Sequence, residues 1–182
     1  MNTDATDEEL LETLRLAQRL GVLGPVGVDD VVAHGRWYVS ALAETRGRVV
    51  DLGSGAGVPG LVIARARTDL RVTLVDRRSK RTDLLERAVR RLGLDDRVEV
   101  RCEDVTRTIE RDAAGFDAVT ARLFGPAAWA LEVGARLRAP GGIVVISEPP
   151  DGDRWDPAVV AGHGVRRHRH GPLSVFSEET DG

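Results

Sequence analysis

A doubly wound, mostly parallel α/β sheet with an antiparallel C-terminal edge hairpin and two N-terminal helices is the fold this sequence predicts. Three observations lead to it. From Arg48 onward β-branched runs alternate with amphipathic stretches, the pattern of parallel strands joined by crossover helices. The first run, Val49-Val50-Asp51-Leu52, breaks into Gly53-Ser54-Gly55-Ala56-Gly57-Val58-Pro59-Gly60, which reads as strand, tight turn and helix start. The tail, 164–176, reads as two strands around Gly171-Pro172.

The elements follow in order. Thr6-Asp7-Glu8-Glu9 forms a capping box with Thr6 as N-cap. Leu10, Leu11, Leu14, Ala17 and Leu20 then give a helical apolar stripe, and Gly21 ends it. Gly24-Pro25 makes a turn. Asp29-Asp30 open a second helix to about Glu44, with Val31, Val32, Val39 and Leu42 on its buried side; Trp37 and Tyr38 are core or ligand wall. Strands are expected at 48–52, 71–75, 98–101, 116–121 and 142–146. Helices are expected at 59–67, 79–92 and 127–137, with a short one near 105–111. Pro59 suits a first helical position, having no N–H to leave unpaired. Pro140-Gly141-Gly142 is the expected turn into the fifth strand, and Glu178 to Gly182 an expected frayed end. Residues 1–46 are read as helices packing on a core built by 47–182, the whole being one structural unit.

Composition narrows the possibilities. The chain of 182 residues is 30% charged and 42% hydrophobic, ordinary for a globular domain with a real core. A single cysteine, Cys102, excludes an internal disulfide and fits a reducing cytoplasm. No apolar run reaches the ~20 residues of a membrane helix, and the acidic start, Met1-Asn2-Thr3-Asp4, predicts no secretory leader. Net charge is −3, with acids crowding the first thirty residues. A mildly acidic chain is not a strong nonspecific nucleic-acid binder. Lys80 is its only lysine, so arginine, the better phosphate fork, dominates the 26 basic residues.

Candidate site residues cluster at the ends of the expected strands. Asp51 precedes Gly53, Ser54, Gly55, Gly57 and Val58. An acid there would repel a pyrophosphate and suits a ligand with a cationic end, such as the amino group of S-adenosylmethionine. Asp76 ends the second strand, where it either accepts ribose hydroxyls or caps the next helix. Cys102-Glu103-Asp104 follow the third strand. Their carboxylates can take an adenine amine, or the loop is simply solvated; Cys102 shows no partner that would make it a nucleophile. Arg122 closes the fourth strand on a charge that must meet ligand, substrate or an acid. Arg77, Arg78, Lys80, Arg81, Arg87, Arg90 and Arg91 form a solvated helix face or an RNA-facing patch. Arg166-Arg167-His168-Arg169-His170 would split its charges over two faces of a strand, and its histidines lack metal-ligand spacing. No metal site is expected.

These residues together resemble the class I, Rossmann-like S-adenosylmethionine-dependent methyltransferases. Within them the chain is most similar to the bacterial small-subunit rRNA guanine-N7 methyltransferase family, also called glucose-inhibited division protein B. The resemblance runs from about residue 14 to 146. It is carried by Leu20 to Pro25, Arg36 to Leu42, Val50 to Leu61, Asp69 to Asp76 and Phe116 to Arg122. It implies a cytoplasmic rRNA-methylating enzyme in which Gly53 and Val58 line the methionine end of the cofactor. Asp76 would then hold the ribose, Cys102 and Glu103 flank the adenine, and Arg122 act at the cofactor or target base. The implied partner is small-subunit rRNA or the ribosomal subunit. The family carries histidine where Trp37 stands and Lys-Gly where Ser147-Glu148 stand, so Glu148 places an acid where the resemblance implies a cation. The alternatives are a methyltransferase for a small metabolite and a non-catalytic cofactor-binding paralogue.

Overall fold

The computed structural model describes residues 3–149 and 154–178. In chain order it contains α1 (Thr3–Arg19), α2 (Val28–Ala41), β1 (Gly47–Leu52), α3 (Gly60–Ala66), β2 (Leu70–Asp76), α4 (Ser79–Arg91) and β3 (Val98–Cys102). Then follow α5 (Val105–Asp112), β4 (Phe116–Ala121), α6 (Ala127–Leu137), β5 (Arg138–Ser147), α7 (Pro157–Gly162), β6 (Val165–His170) and β7 (Leu173–Glu178).

The seven strands form one sheet in the order β3-β2-β1-β4-β5-β7-β6. The pairs among β1 to β5 are parallel, while β7 runs antiparallel to both β5 and β6. The chain winds outward from β1 to β3 and then returns to lay β4 and β5 on the other side. That reversal opens a crevice beyond the carboxyl ends of β1 and β4, where sheets of this kind bind ligands.

Period-two alternation builds a core on each face. Val49, Val72, Leu74, Ala118 and Val145 join the residues of α1 to α4 in one cluster. Val50, Leu52, Val75, Val119, Val144 and Ile146 join those of α5, α6 and α7 in the other. Both N-terminal helices contribute, through Leu10, Leu14, Ala17, Val28, Val31 and Val32. Tyr38 is fully buried and its hydroxyl donates to the Ala121 carbonyl at 2.8 Å, which fixes it as core.

Several details differ from the sequence reading. The first helix begins at Thr3, so Thr6 lies within it and is not its cap. Leu20 is past the last turn and 58% exposed, outside the buried stripe. Pro59 stands just before α3, at its N-cap position. Pro140-Gly141-Gly142 is no turn before β5 but an irregularity within it: the register jumps from Phe116 opposite Arg138 to Ala118 opposite Ile143. Helix α7 was unforeseen, although Asp156 caps it by accepting from the Ala158 N–H at 2.8 Å and Pro157 follows at its start. Of the expected frayed end, Glu178 closes β7 and residues 179–182 lie outside the described residues. Among the described residues no helix is long and apolar enough to cross a membrane.

Candidate active site

Between β1 and α3 the chain must turn sharply, and Gly53, Gly55 and Gly57 do so with φ of +65°, +55° and +99°. Their surroundings assign them different work. A Cβ on Gly57 would lie 2.3 Å from Leu61, so that glycine lets the loop pack on α3. Gly55 lines an open cleft instead, and Gly53, which lines two, also leaves room for the Phe124 ring. Ser54 staples the loop to the sheet, donating to the Asp51 carbonyl at 2.8 Å and accepting from the Val75 N–H at 3.1 Å. Its hydroxyl is therefore engaged within the fold.

Asp51 does not reach open solvent. Its carboxylate accepts from the Thr120 hydroxyl at 2.9 Å and from the Gly60 N–H at 3.3 Å, so it anchors the start of α3 to β4. Complete burial pushes its pKa up to about 6, against the opposing pull of the Thr120, Ser54 and Gly60 donors and the nearby Arg122 charge. The expectation of a direct contact with a cationic ligand meets a carboxylate that holds up the loop from behind.

Asp76 is 5% exposed and sits beneath the loop. It accepts from the Gly55 N–H at 3.1 Å, the Arg78 N–H at 3.0 Å and the Arg81 guanidinium at 3.2 Å. It is not the N-cap of α4, which is Arg78. A cleft of about 340 Å³ opens beside it, lined also by Gly53, Arg77, Arg81, Glu103, Asp104 and Trp129. The Glu103 carboxylate accepts from the Thr108 hydroxyl at 2.9 Å and pairs with Arg111. Asp104 caps α5 through the Thr106 N–H at 3.0 Å, and that donation holds its pKa down. Cys102 is exposed and outside this lining.

Arg122 stands where two further clefts meet. One, of about 260 Å³, follows the glycine loop past Ser54, Gly55 and Val58. The other, of about 630 Å³, is walled by Asp30, His34, Phe124, Ser147, Glu148 and Arg154. Arg122 lines both, and among the described residues its side chain has no hydrogen-bond or ion-pair partner. His34 lies close enough that burial and the Arg122 charge lower its pKa, and its Nε2 is buried without a partner. The acid at Glu148 is neutralised locally: its buried carboxylate accepts from Arg154 at 3.0 Å and from the Trp155 indole at 2.5 Å.

The sequence reading missed several lining residues. Phe124 and Trp129 stack at 4.7 Å between centroids, and a Cβ on Gly53 would lie 2.8 Å from the Phe124 ring. Their signal was a pair of aromatics flanking the entry to α6, Phe124 two residues after Arg122 and Trp129 in the first turn of the helix. His34 and Arg154 had no such signal, because neither follows a strand end. Among the described residues no group of histidine, cysteine and acidic side chains could hold a metal ion.

This sheet order and switch-point crevice define a class I methyltransferase fold, and solved structures agree. A methyltransferase from Geobacter sulfurreducens superposes with a TM-score of 0.71 at 17% identity, covering 95% of this chain and 89% of its own. Coclaurine N-methyltransferase, bound to N-methylheliamine and SAH, superposes with a TM-score of 0.57 at 23% identity, covering 73% of this chain and 42% of its own.

The sequence places the chain more finely. The GidB model, described as rRNA small subunit methyltransferase G, matches residues 37–148, and the chain belongs to this family. Ribosomal RNA small subunit methyltransferase G of Acidothermus cellulolyticus is 39% identical over 128 residues, which is 69% of this chain and 55% of that protein. The chain spans about half the length of the curated relatives it matches.

Proposed function

We propose that the chain is an S-adenosylmethionine-dependent methyltransferase whose acceptor is guanine N7 of small-subunit rRNA. The observation that carries the reading is Arg122, an unpaired cation on the wall shared by the glycine-loop cleft and the larger cleft. The residues present fit the cofactor. Asp76 offers a buried carboxylate at the cleft floor, where its ion pair with the partly exposed Arg81 can be exchanged for ribose hydroxyls. Gly53 and Gly55 would admit the methionine portion closely, and Phe124 with Trp129 would cover the adenine. Glu103 and Asp104 would border that ring, with Cys102 outside the lining; Val58 would line the methionine end, and Asp51 would fix the loop from behind.

When bound, the cofactor supplies an electrophilic sulfonium methyl group. Guanine N7 is an acceptor in its neutral form, so the chain needs no general base. The work left to its residues is alignment. Arg122 would hold the base edge, and His34, kept neutral by burial, would offer its ring to the same base. The larger cleft has room for a nucleobase, and the names of the curated relatives, ribosomal RNA small subunit methyltransferase G, favour small-subunit rRNA as its source.

Titration calorimetry with S-adenosylmethionine, followed by transfer of labelled methyl to undermethylated small subunits, tests the proposal. Arg122→Ala should lower turnover by about 100-fold, the loss typical of a group that aligns reactants, while the fold is retained. Transfer only to a small metabolite, or cofactor binding without transfer to any acceptor, would replace this reading with one of its rivals.

A further inference from the structure

We propose that the edge strand β6 is a contact surface for the phosphodiester backbone of RNA, an inference that rests on the rRNA reading above. β6 is the outermost strand and pairs only with β7. Arg166, His168 and Arg169 are exposed on it. Neither Arg166 nor Arg169 has an ion pair or a side-chain hydrogen bond among the described residues. Many other arginines are paired: Arg15 with Glu8, Arg67 with Asp69, Arg91 with Glu12 and Arg111 with Glu103. Arg166 and Arg169 lie on opposite faces of the strand, so this edge carries an unpaired guanidinium on each side.

Position supports the assignment. His170 pairs with Leu173, and Leu173 pairs with Ser147, which lines the larger cleft. The strand therefore climbs to the same end of the sheet as the cleft, two strand spacings or about 10 Å away. His170 is tied down there, its Nε2 lying 2.7 Å from the Ser40 hydroxyl and its ring edge-on to Trp37, so the hairpin presents its arginines from a fixed tip. The outer edge of such a strand also carries unpaired backbone N–H groups, which are phosphate donors in their own right. A groove of about 450 Å³ between β6 and α7 is lined by Arg166, Arg167, Arg169 and Trp155. A nucleotide held in the larger cleft would leave its neighbours within reach of this rail.

A different explanation exists for charge on an edge strand, since charge also guards against strand-to-strand association. Either sign of charge serves that purpose, whereas only a positive one binds phosphate. Charge reversal separates the two. The full chain carrying R166E and R169E is compared with wild type by fluorescence anisotropy of a labelled single-stranded RNA copied from small-subunit rRNA, over a series of salt concentrations. Affinity is expected to fall at least about tenfold, and the salt slope by about 1.4, for two lost phosphate contacts on a single strand. R166K with R169K should retain most of the affinity. Calorimetry with S-adenosylmethionine and circular dichroism should be unchanged in both; should the reversal disturb folding, R166Q with R169Q decides. An R166E, R169E chain that binds RNA as wild type does overturns the surface and leaves the proposed activity standing. A wild-type chain that binds no RNA overturns both.

Discussion

The indole of Trp37 on α2 lies directly over Gly171, the turn residue of the β6–β7 hairpin: a Cβ at Gly171 would sit 2.7 Å from the ring. Gly171 also has φ of +57°, a conformation that glycine adopts without strain. Two constraints therefore meet at one position. Gly171→Ala should cost about 1–3 kcal/mol of stability through backbone strain and overlap, measured by urea unfolding. Adding Trp37→Ala should recover the overlap part alone. Costs that simply add in the double variant would show that the ring and the turn are independent.

The buried Asp51 carboxyl sets a pH dependence of definite sign. Its folded pKa, about 6, is above the ordinary carboxylate value of 3.8. The folded state thus holds a proton that the unfolded chain has already released, and stability from this group is lost as pH rises from about 4 to about 6. The loss is roughly 3 kcal/mol. Asp69, Asp104, Asp112 and Glu178 are shifted downward and act in the opposite sense at lower pH. The difference between wild type and Asp51→Asn isolates the effect: the variant should show a flatter profile across that window and greater stability at pH 7. Superimposable slopes would refute it.

Asp76→Asn keeps the shape of the cleft floor and an oxygen for the Gly55 N–H. It removes the charge that strengthens a ribose hydrogen bond. Calorimetry should show S-adenosylmethionine affinity reduced about tenfold to a hundredfold, the range of a hydrogen bond to a charged group. Circular dichroism should stay native. An unchanged affinity would mean that the cofactor lies elsewhere.

Trp129 is 40% exposed in the cleft beside Asp76, whereas Trp155 is buried and Trp37 lies at the hairpin tip. Cofactor binding should therefore change the intrinsic fluorescence mainly through Trp129. Trp129→Leu should abolish that change and weaken binding several-fold, in keeping with about 1 kcal/mol for an aromatic stack. A full fluorescence response in the variant would remove Trp129 from the site.

The architecture was legible because it is written locally. Alternating runs, Gly53 to Gly60 and the acid at Asp76 each declare a strand end or a turn by short-range rules. What escaped depended on distant packing. Nothing near Glu148 in the sequence announces that Arg154 and Trp155 fold back onto its carboxylate. Likewise, the burial of Asp51 follows from Thr120, a residue of another strand. Trp37, open between core and ligand wall when read alone, acquires its place only when the hairpin arrives beneath it. The irregularity at Pro140 to Gly142 was misplaced for a similar reason, since proline and glycine mark a turn or a bulge equally well until the partner strand is known.

Leu123 is 86% exposed, has φ of +56°, and borders both clefts that meet at Arg122 as well as the one beside Asp76. Ligands on its two sides would share a wall, and sharing of that kind can link their affinities. If filling one cleft repositions Leu123, the factor by which it tightens or loosens the other ligand must be returned in full when the order of binding is reversed. Any such coupling between methyl donor and acceptor would run through a residue whose backbone sits in an uncommon conformation, and it would be measurable from either ligand's side.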